Sequence, residues 1–320
     1  MFWSSKPRRN QGYQQRRSTF EALENRKLMA ADITSWIDTS GGVLYIGGGN
    51  VSDNIQIRFE KGQIGVRDGA SNQIIKIAVT DHGIVTQRDS IPRSFVPYYL
   101  IVSTGEGSNT VNVIEDAANP AMPLAIYGGQ GDDILNGGSA KDAIYGLGGN
   151  DRIDGKAGDD YLVGGYGLLG ETASSRGDVL IGGAGNDTLI GSSGNDELDG
   201  GSGDDNLRGM NGDDKLTGGP GQNSYDGGAG NDRIVEVGLY GAFISDTRLS
   251  TTRFNGAWST NSVIIASIEQ AQLSAILGPL TAVGLDASAF SGNTILTGGI
   301  GNDTLKGGRG NDQISGGGGD

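Results

Sequence analysis

A nine-residue motif is repeated twelve times between Gly128 and Val235 without a change of register. The first copy is GGQGDDILN and the twelfth is GGAGNDRIV, and two further copies, GGIGNDTLK and GGRGNDQIS, begin at Gly298. By position the motif is GGxGxDxUx, where U is a large apolar residue. A short fixed period predicts a solenoid, because one repeat can bury its apolar residue only against neighbouring repeats.

Glycine and one apolar position divide the motif into a turn and a strand. Positions one, two and four are mostly glycine, which permits positive φ angles and close approach of another backbone. The last three positions form a short strand whose middle residue points into the core. Position eight holds Leu135, Ile144, Ile153, Leu162, Leu180, Leu189, Leu198, Leu207, Leu216, Tyr225 and Ile234, with Glu171 as the exception. We therefore predict an all-β fold of stacked coils around a thin aliphatic core.

Aspartate occupies position six of most copies. These residues are Asp133, Asp142, Asp151, Asp160, Asp178, Asp187, Asp196, Asp205, Asp214, Asp232, Asp303 and Asp312; the exceptions are Leu169 and Asn223. Two stacked carboxylates about 4 Å apart would repel by about 4 kcal/mol at an effective dielectric near 20. Carboxylate and carbonyl oxygens in a flexible turn suit Ca²⁺, whereas Mg²⁺ demands stricter geometry and Zn²⁺ prefers nitrogen and sulfur. The pattern predicts that these aspartates bind several Ca²⁺ ions.

The motif resembles the RTX, or haemolysin-type, calcium-binding repeat over Gly128 to Val235 and Gly298 to Asp320. The resemblance implies a parallel β-roll in which two nonamers make one 18-residue coil. It also implies that Ca²⁺ lies between turns on the same side, held by the position-six Asp of one nonamer, that of the next but one, and turn carbonyls.

Two copies depart from the motif. Leu169 takes an aspartate position and Glu171 a core position, where an unpaired carboxylate would be costly to bury. We therefore predict a surface loop from Tyr166 to Arg176, with Asp178 stacked between Asp151 and Asp196. In the alternative, a regular coil, Asp178 aligns with Asp160. At Asn223, which lacks a charge, we expect a weaker or empty site.

Residues 1–30 carry seven Lys or Arg against two Glu, a charge of +5, and are expected to be flexible. The string FEALENRKLMAAD resembles the LEPR-XLL segment at the N-termini of large exported and surface proteins of some bacteria, with Asn25 where that family prefers proline. The resemblance implies export or surface targeting; the alternative is a disordered basic tail. The matching residues are Leu23, Glu24, Arg26, Leu28 and Met29.

Residues 31–127 read as a leading β-rich, β-helix-like segment, with a separate β-sandwich as the alternative. Strands are predicted at residues 42–46, 54–59, 73–79, 98–102 and 110–114. Two stretches look like degenerate copies of the motif, one with Asp53 and Ile55, the other with Asn109 and Val111. We therefore expect the strands of this segment to continue into the repeat array at 128–235.

The motif stops between residues 236 and 297. Gly227 and Gly298 are 71 residues apart, which is not a multiple of nine, so we predict inserted, wider β rungs on the same core. Residues 238–249, 262–273 and 285–290 look like strands, with a short helix at 267–275 as the alternative for that piece. Residues 298–320 form a second repeat block that stops inside a motif, which suggests a fragment of a longer chain.

The net charge and the residues that are absent limit the classes of function that the chain can have. The net charge is -14, so residues 31–320 carry -14 - 5 = -19, which suits cations and argues against nucleic acid. There is no cysteine for disulfides, and no apolar run approaches the ~18 residues of a membrane span. His82 is the single histidine and is interpreted as a turn residue; neither HExxH nor GxSxG occurs, so we expect no enzyme activity.

These observations predict a secreted or cell-surface calcium-binding protein whose β-roll folds on binding Ca²⁺ and has a structural or adhesive role. Its expected partners are calcium ions and cell-surface or extracellular-matrix components. The alternative is the RTX tail of a larger exported protease or lipase whose catalytic domain lies outside this chain. A third interpretation, a module that grips carbohydrate or ice, is not supported by any regular Thr or aromatic ladder in the sequence.

Overall fold

The computed structural model describes most of the chain after residue 33, and every regular element in the described residues is a β-strand. The described residues are 34–38, 43–49, 52–61, 63–70, 74–75, 77–81, 84–92, 99–116, 118, 120–165, 177–239, 241–245, 248–254, 258–266, 268–275 and 283–318. The predicted targeting segment at 1–30 and His82 lie outside them.

The strands fall into three successive groups. The leading group is β1 (Thr34–Asp38), β2 (Val43–Gly47), β3 (Asn54–Glu60), β4 (Gln63–Asp68), β5 (Ile74–Ile75), β6 (Ile77–Asp81), β7 (Ile84–Arg88), β8 (Ser90–Pro92), β9 (Tyr99–Ser103) and β10 (Thr110–Glu115). The repeat group is β11 (Leu124–Gln130), β12 (Ile134–Asn136), β13 (Ala143–Gly148), β14 (Arg152–Ala157), β15 (Tyr161–Gly165), β16 (Val179–Ala184), β17 (Thr188–Ile190), β18 (Glu197–Ser202), β19 (Asn206–Asn211), β20 (Lys215–Thr217), β21 (Ser224–Ala229) and β22 (Arg233–Leu239). The last group is β23 (Gly241–Ser245), β24 (Arg248–Phe254), β25 (Trp258–Ala266), β26 (Gln270–Ala275), β27 (Gly284–Ala289), β28 (Asn293–Thr297), β29 (Thr304–Lys306) and β30 (Gln313–Ser315).

Successive nonamers alternate between two parallel sheets. One sheet contains the run β9-β11-β13-β15-β17-β19-β21 and the other the run β10-β12-β14-β16-β18-β20-β22. Leu135 pairs with Ile153 and Ile144 with Leu162, so partners are 18 residues apart. Two nonamers therefore make one coil, and the predicted parallel β-roll is confirmed.

One coil of the array is longer than the others. Ile153 pairs with Leu180 and Leu162 with Leu189, an offset of 27 residues instead of 18. The extra nine residues belong to the stretch in which we predicted a loop. Residues 166–176 themselves lie outside the described part of the chain.

The sheets of the leading group continue into the repeats. Strand β10 pairs in parallel with both β3 and β12, and β9 pairs in parallel with both β2 and β11. Val111 is the partner of Ile55 on one side and Leu135 on the other, so both degenerate motifs share the core row of the repeats. Strands lie at all five predicted places, whereas the division at residue 127 stays a prediction.

The interruption after the array adds strands to the same two sheets. Strand β25 pairs in parallel with β21, and β26 pairs in parallel with β22. Strands β23, β24 and β25, however, pair with one another antiparallel, which a period of nine does not predict. The alternative of a helix at 267–275 is wrong: Gln270–Ala275 is a strand in which Ala271 and Leu273 are buried with period two.

The core is one apolar residue wide in the repeats. Every position-eight residue from Leu135 to Ile234 that the structure describes is at most 2% exposed. Burying one such side chain contributes about 1.5–3 kcal/mol, and its contacts come from the coils above and below. Among the described residues, none lies in a helix long and apolar enough to span a bilayer.

Candidate metal centre

The coil geometry stacks the position-six residues into two columns. We define the first column as Asp53, Asn109, Asp133, Asp151, Asp178, Asp196, Asp214, Asp232 and Glu269. The second column is Asp142, Asp160, Asp187, Asp205 and Asn223. The aspartates of both columns are at most 3% exposed. Asp303 and Asp312, in the last repeat block, are partly buried.

Each column is held by one hydrogen-bond pattern. From Asp133 to Asp214, the backbone N–H of each column aspartate donates to Oδ1 of the column member one coil later, at 2.6–2.9 Å. Asp151 donates to Asp178 at 2.7 Å and Asp178 to Asp196 at 2.6 Å, so the register predicted for Asp178 is confirmed. One carboxylate oxygen of each aspartate is thus used by the fold itself.

The second carboxylate oxygen, Oδ2, separates the aspartates into two kinds. Among the residues that the structure describes, seven buried aspartates have an Oδ2 with no hydrogen-bond partner: Asp133, Asp151, Asp160, Asp187, Asp205, Asp214 and Asp232. In Asp142 and Asp196, Oδ2 accepts the backbone N–H of position two, from Gly138 at 2.8 Å and Ser192 at 2.6 Å. Asp178 accepts from the Ser192 hydroxyl at 2.7 Å. A buried carboxylate oxygen without a partner is costly unless a cation meets it.

The backbone at position two explains the two kinds. The residue at this position has a positive φ in all seven nonamers with an unpartnered Oδ2: Gly129, Leu147, Lys156, Gly183, Gly201, Met210 and Gly228. Gly138 and Ser192 do not have a positive φ, and their N–H groups point at the carboxylate. We call the first kind open turns and the second closed turns. Leu147, Lys156 and Met210 adopt a conformation that costs an L-residue about 1–2 kcal/mol, so the array maintains open turns against strain.

A glycine at position one shapes the space around each Oδ2. A Cβ added to Gly182 would collide with Oδ2 of Asp187 and would lie 2.5 Å from the carbonyl oxygen of Gly200, one coil later. An equivalent pair of oxygens lies beside other position-one glycines. At Gly128, the two are Oδ2 of Asp133 and the carbonyl oxygen of Gly146. The open turns of Gly128, Gly146, Gly155, Gly182 and Gly209 therefore each have a cradle, formed by a carboxylate oxygen and a carbonyl oxygen, that only glycine leaves empty.

Burial makes these carboxylates poor acids. Desolvation raises the pKa of Asp151 and Asp160 from 3.8 to about 8, although backbone N–H donors lower it, and neighbouring column aspartates raise it further. The pKa of Asp196 rises to about 7 for the same reasons. The pKa also rises, to about 6, in Asp133, Asp142, Asp205, Asp214 and Asp232. Asp151, Asp160 and Asp196 therefore favour a bound proton at neutral pH unless a metal cation stabilises the ionised form.

The donor set fits a hard cation. The side chains that the structure describes include no group of three or more His, Cys, Asp or Glu that could hold a metal ion. The carboxylates thus come singly or in pairs, and backbone carbonyls must complete any site. Oxygen donors of this mixture in flexible turns are those of Ca²⁺, not Zn²⁺. The residues of the open turns therefore fit Ca²⁺.

Two features of the columns were missed by sequence reasoning. Glu269 ends the first column by accepting the N–H of Asp232 at 2.9 Å, although it lies 37 residues away. The position-five residues form an exposed ladder, a row of hydrogen bonds between successive coils. Asp132 accepts the N–H of Asn150 at 2.9 Å, and Asp213 accepts the N–H of Asn231 at 3.0 Å. The sequence contains a signal for this ladder, because eight of the twelve copies have Asp or Asn at position five.

The fold and the site together define a parallel β-solenoid with buried, oxygen-lined turns. Four segments match the family described as the RTX calcium-binding nonapeptide repeat, at residues 127–162, 172–207, 199–234 and 288–320. The chain therefore carries RTX calcium-binding repeats, and the predicted resemblance is confirmed. No curated protein matches the chain.

Closing one cradle should remove one ion. We expect Gly182→Ala to lower the number of bound Ca²⁺ ions by one and to destabilise the calcium-loaded protein by about 1–3 kcal/mol, because the new methyl group overlaps two oxygens. Isothermal titration calorimetry and thermal melts in Ca²⁺ measure both effects. Gly284→Ala is the matched control, because nothing lies within 4 Å of its Cβ position. An unchanged ion count in Gly182→Ala contradicts the cradle.

Proposed function

We propose that this chain is an exported or cell-surface protein whose β-roll folds when Ca²⁺ enters the open turns, and that its role is structural or adhesive. The observation that carries the proposal is the set of seven buried Oδ2 atoms without a partner. Six of the seven lie against a position-one glycine, and all seven follow a position-two residue with a positive φ. The metal ligands we propose are the twelve position-six aspartates, with the seven of the open turns binding most tightly.

The chain's own residues set up the site in two ways. The N–H to Oδ1 ladder fixes each carboxylate, so that Oδ2 is directed into the cradle before any ion is bound. The position-two residues with a positive φ do not donate their N–H to Oδ2 and leave it as a free acceptor. Bound Ca²⁺ would supply the positive charge that lets neighbouring column carboxylates remain ionised at neutral pH.

Net charge supports a role in export. The 290 residues after residue 30 carry -19, so the array repels itself where Ca²⁺ is scarce. An unfolded chain suits passage through a secretion channel, and sites of the ~10⁻⁴ to 10⁻³ M class fill only outside the cell. Ion binding would then replace the stability that disulfides give other exported proteins, because this chain has no cysteine.

A short aromatic strip supports the adhesive part of the proposal. Tyr127 and Tyr145 stack with ring centroids 5.1 Å apart, and Tyr161 follows at 6.1 Å from Tyr145. The sequence showed no regular ladder, because Tyr161 is at position seven while the other two are at position nine. Tyr127 and Tyr161 are 36% and 39% exposed, so flat aromatic faces are available on this sheet for a surface partner.

A pair of adjacent aspartates tests the assignment of the ligands. Asp214→Asn should remove one Ca²⁺ and destabilise the protein in ~10 mM Ca²⁺ by about 1–3 kcal/mol, because a site at 100 times its Kd contributes about 2.7 kcal/mol. Asp213→Asn makes the same change of charge one residue earlier, in the exposed ladder, and keeps the Oδ1 that accepts the N–H of Asn231. We expect it to leave the ion count unchanged. Equal losses in both variants, measured by equilibrium dialysis, would show that only net charge matters.

A further inference from the structure

The turn of Asn223 has the backbone of an open turn but no unpartnered oxygen. Its position-two residue, Gly219, has a φ of 79°, as in the ion-binding turns. Asn223 keeps the column contact, because its Oδ1 accepts the N–H of Asp205 at 2.9 Å. Its Nδ2, however, donates to the carbonyl of Gly219 at 2.9 Å, and an N–H donor cannot ligate a cation.

The cradle of this turn is filled by the protein itself. A Cβ added to Gly218 would collide with the hydroxyl of Tyr225 and with Nδ2 of Asn223, where other nonamers place the aspartate Oδ2. Tyr225 occupies the core position that is Leu or Ile in the other regular copies, so its ring is buried and its hydroxyl extends into the cradle. The position of an aspartate oxygen is thus taken by a phenol.

Glu236 completes the arrangement from the next coil. It lies 18 residues after Gly218, so it takes a position-one place that is mostly glycine in the array. Its carboxylate is buried, at 1% exposure, and accepts hydrogen bonds from the Tyr225 hydroxyl and from the N–H of Gly218, the latter at 3.2 Å. The buried negative charge of this turn is therefore satisfied by two protein donors.

We propose that Tyr225, Glu236 and Asn223 form an internal lock that replaces a metal ion, so that the second column ends without Ca²⁺. The inference rests on the proposed function, because it concerns which open turns take ions. In this proposal the residue at position eight determines whether a turn binds an ion. Leucine leaves the cradle open, whereas tyrosine fills it.

Restoring the repeat consensus should convert the lock into an ion site. The double variant Asn223→Asp/Tyr225→Leu leaves the introduced aspartate and Glu236 facing an empty cradle, and we expect it to bind one more Ca²⁺ ion than the parent chain. Asn223→Asp alone should bind no additional ion, because the tyrosine hydroxyl still fills the space. Equilibrium dialysis against radioactive calcium gives the counts, and far-ultraviolet circular dichroism in Ca²⁺ confirms folding.

The outcomes separate the two proposals. A parent chain that binds no Ca²⁺ overturns the proposed function. A parent that binds Ca²⁺, with a folded double variant that gains no ion, overturns the lock, as does an equal gain in Asn223→Asp alone.

A second measurement does not need the double variant to fold. In saturating Ca²⁺, Tyr225→Phe and Glu236→Gln should each lower Tm by about 3–10 °C without changing the ion count. Combined, they should lower it by little more than either alone, because both remove the same charge-assisted hydrogen bond: Tyr225→Phe removes the donor and Glu236→Gln removes the acceptor's charge. Additive losses contradict the lock.

Discussion

Removing Ca²⁺ near pH 7.5 is expected to unfold the repeat array, and restoring Ca²⁺ to millimolar levels is expected to refold it. Seven open turns each hold a buried carboxylate oxygen that has no partner within the described part of the chain. If each site contributes about 2.7 kcal/mol at 100 times its Kd, seven contribute roughly 19 kcal/mol. That exceeds the ~5–15 kcal/mol by which a whole domain is usually stable. Far-ultraviolet circular dichroism during a Ca²⁺ titration measures the transition.

Two controls make this result specific. Mg²⁺ at the same concentration should restore little β-structure, because it requires near-octahedral geometry and gives up its waters reluctantly. NaCl of matched ionic strength should also restore little, because screening acts on exposed charges more than on buried ones. A β-sheet spectrum that is the same in chelator and in Ca²⁺ would falsify the central proposal.

The period of nine was sufficient to predict stacked coils and the core row, whereas the 18-residue coil and its two columns were implied by the resemblance to the RTX repeat. Position eight is buried in the coils as expected, since a strand of three residues can present only its middle side chain inward. The register of Asp178 also followed, because burying Glu171 unpaired would cost more than extending one coil.

The open and closed turns could not be predicted from residue types. Leu147, Lys156 and Met210 adopt a positive φ, whereas Gly138, the residue type best suited to it, does not. The choice depends on a hydrogen bond with the same turn's carboxylate, competing with contacts from the adjacent coil. Ser192, for example, donates its N–H to Asp196 and its hydroxyl to Asp178, which belongs to the preceding coil.

The arrangement around Asn223, at the end of the main array, could not be predicted for a different reason. Asn223 suggested a weak site, but nothing in the motif linked it to Tyr225 and Glu236. The link appears only when the 18-residue coil places residue 236 over residue 218. Similarly, Glu269 reaches the first column only because β26 pairs with β22, after an antiparallel excursion of β23 to β25 that has no repeat.

Acid is expected to substitute in part for Ca²⁺. In the folded array, burial raises the pKa of Asp151 and Asp160 from 3.8 to about 8 and that of Asp196 to about 7. A group with a raised folded pKa favours folding when protonated; its contribution is complete below pH ~4 and disappears as the pH rises through the folded pKa. A rise from 3.8 to about 8 corresponds to an effect on the order of 5 kcal/mol. Metal-free protein should therefore gain stability and β-structure as the pH falls from about 8 to 5.

Circular dichroism and urea melts of resin-stripped protein between about pH 8 and 5 test this expectation, and the lower limit keeps the sample above its pI of about 4.5. Asp160→Asn should flatten the dependence, because it removes a buried titrating group of the second column. Asp159→Asn, one residue earlier, removes an exposed carboxylate and should leave the slope nearly unchanged. In Ca²⁺ the trend should reverse, because protons then compete with the ion for the same oxygens. A metal-free array that loses structure on acidification shows that its folded aspartates are ionised, and contradicts their burial without partners.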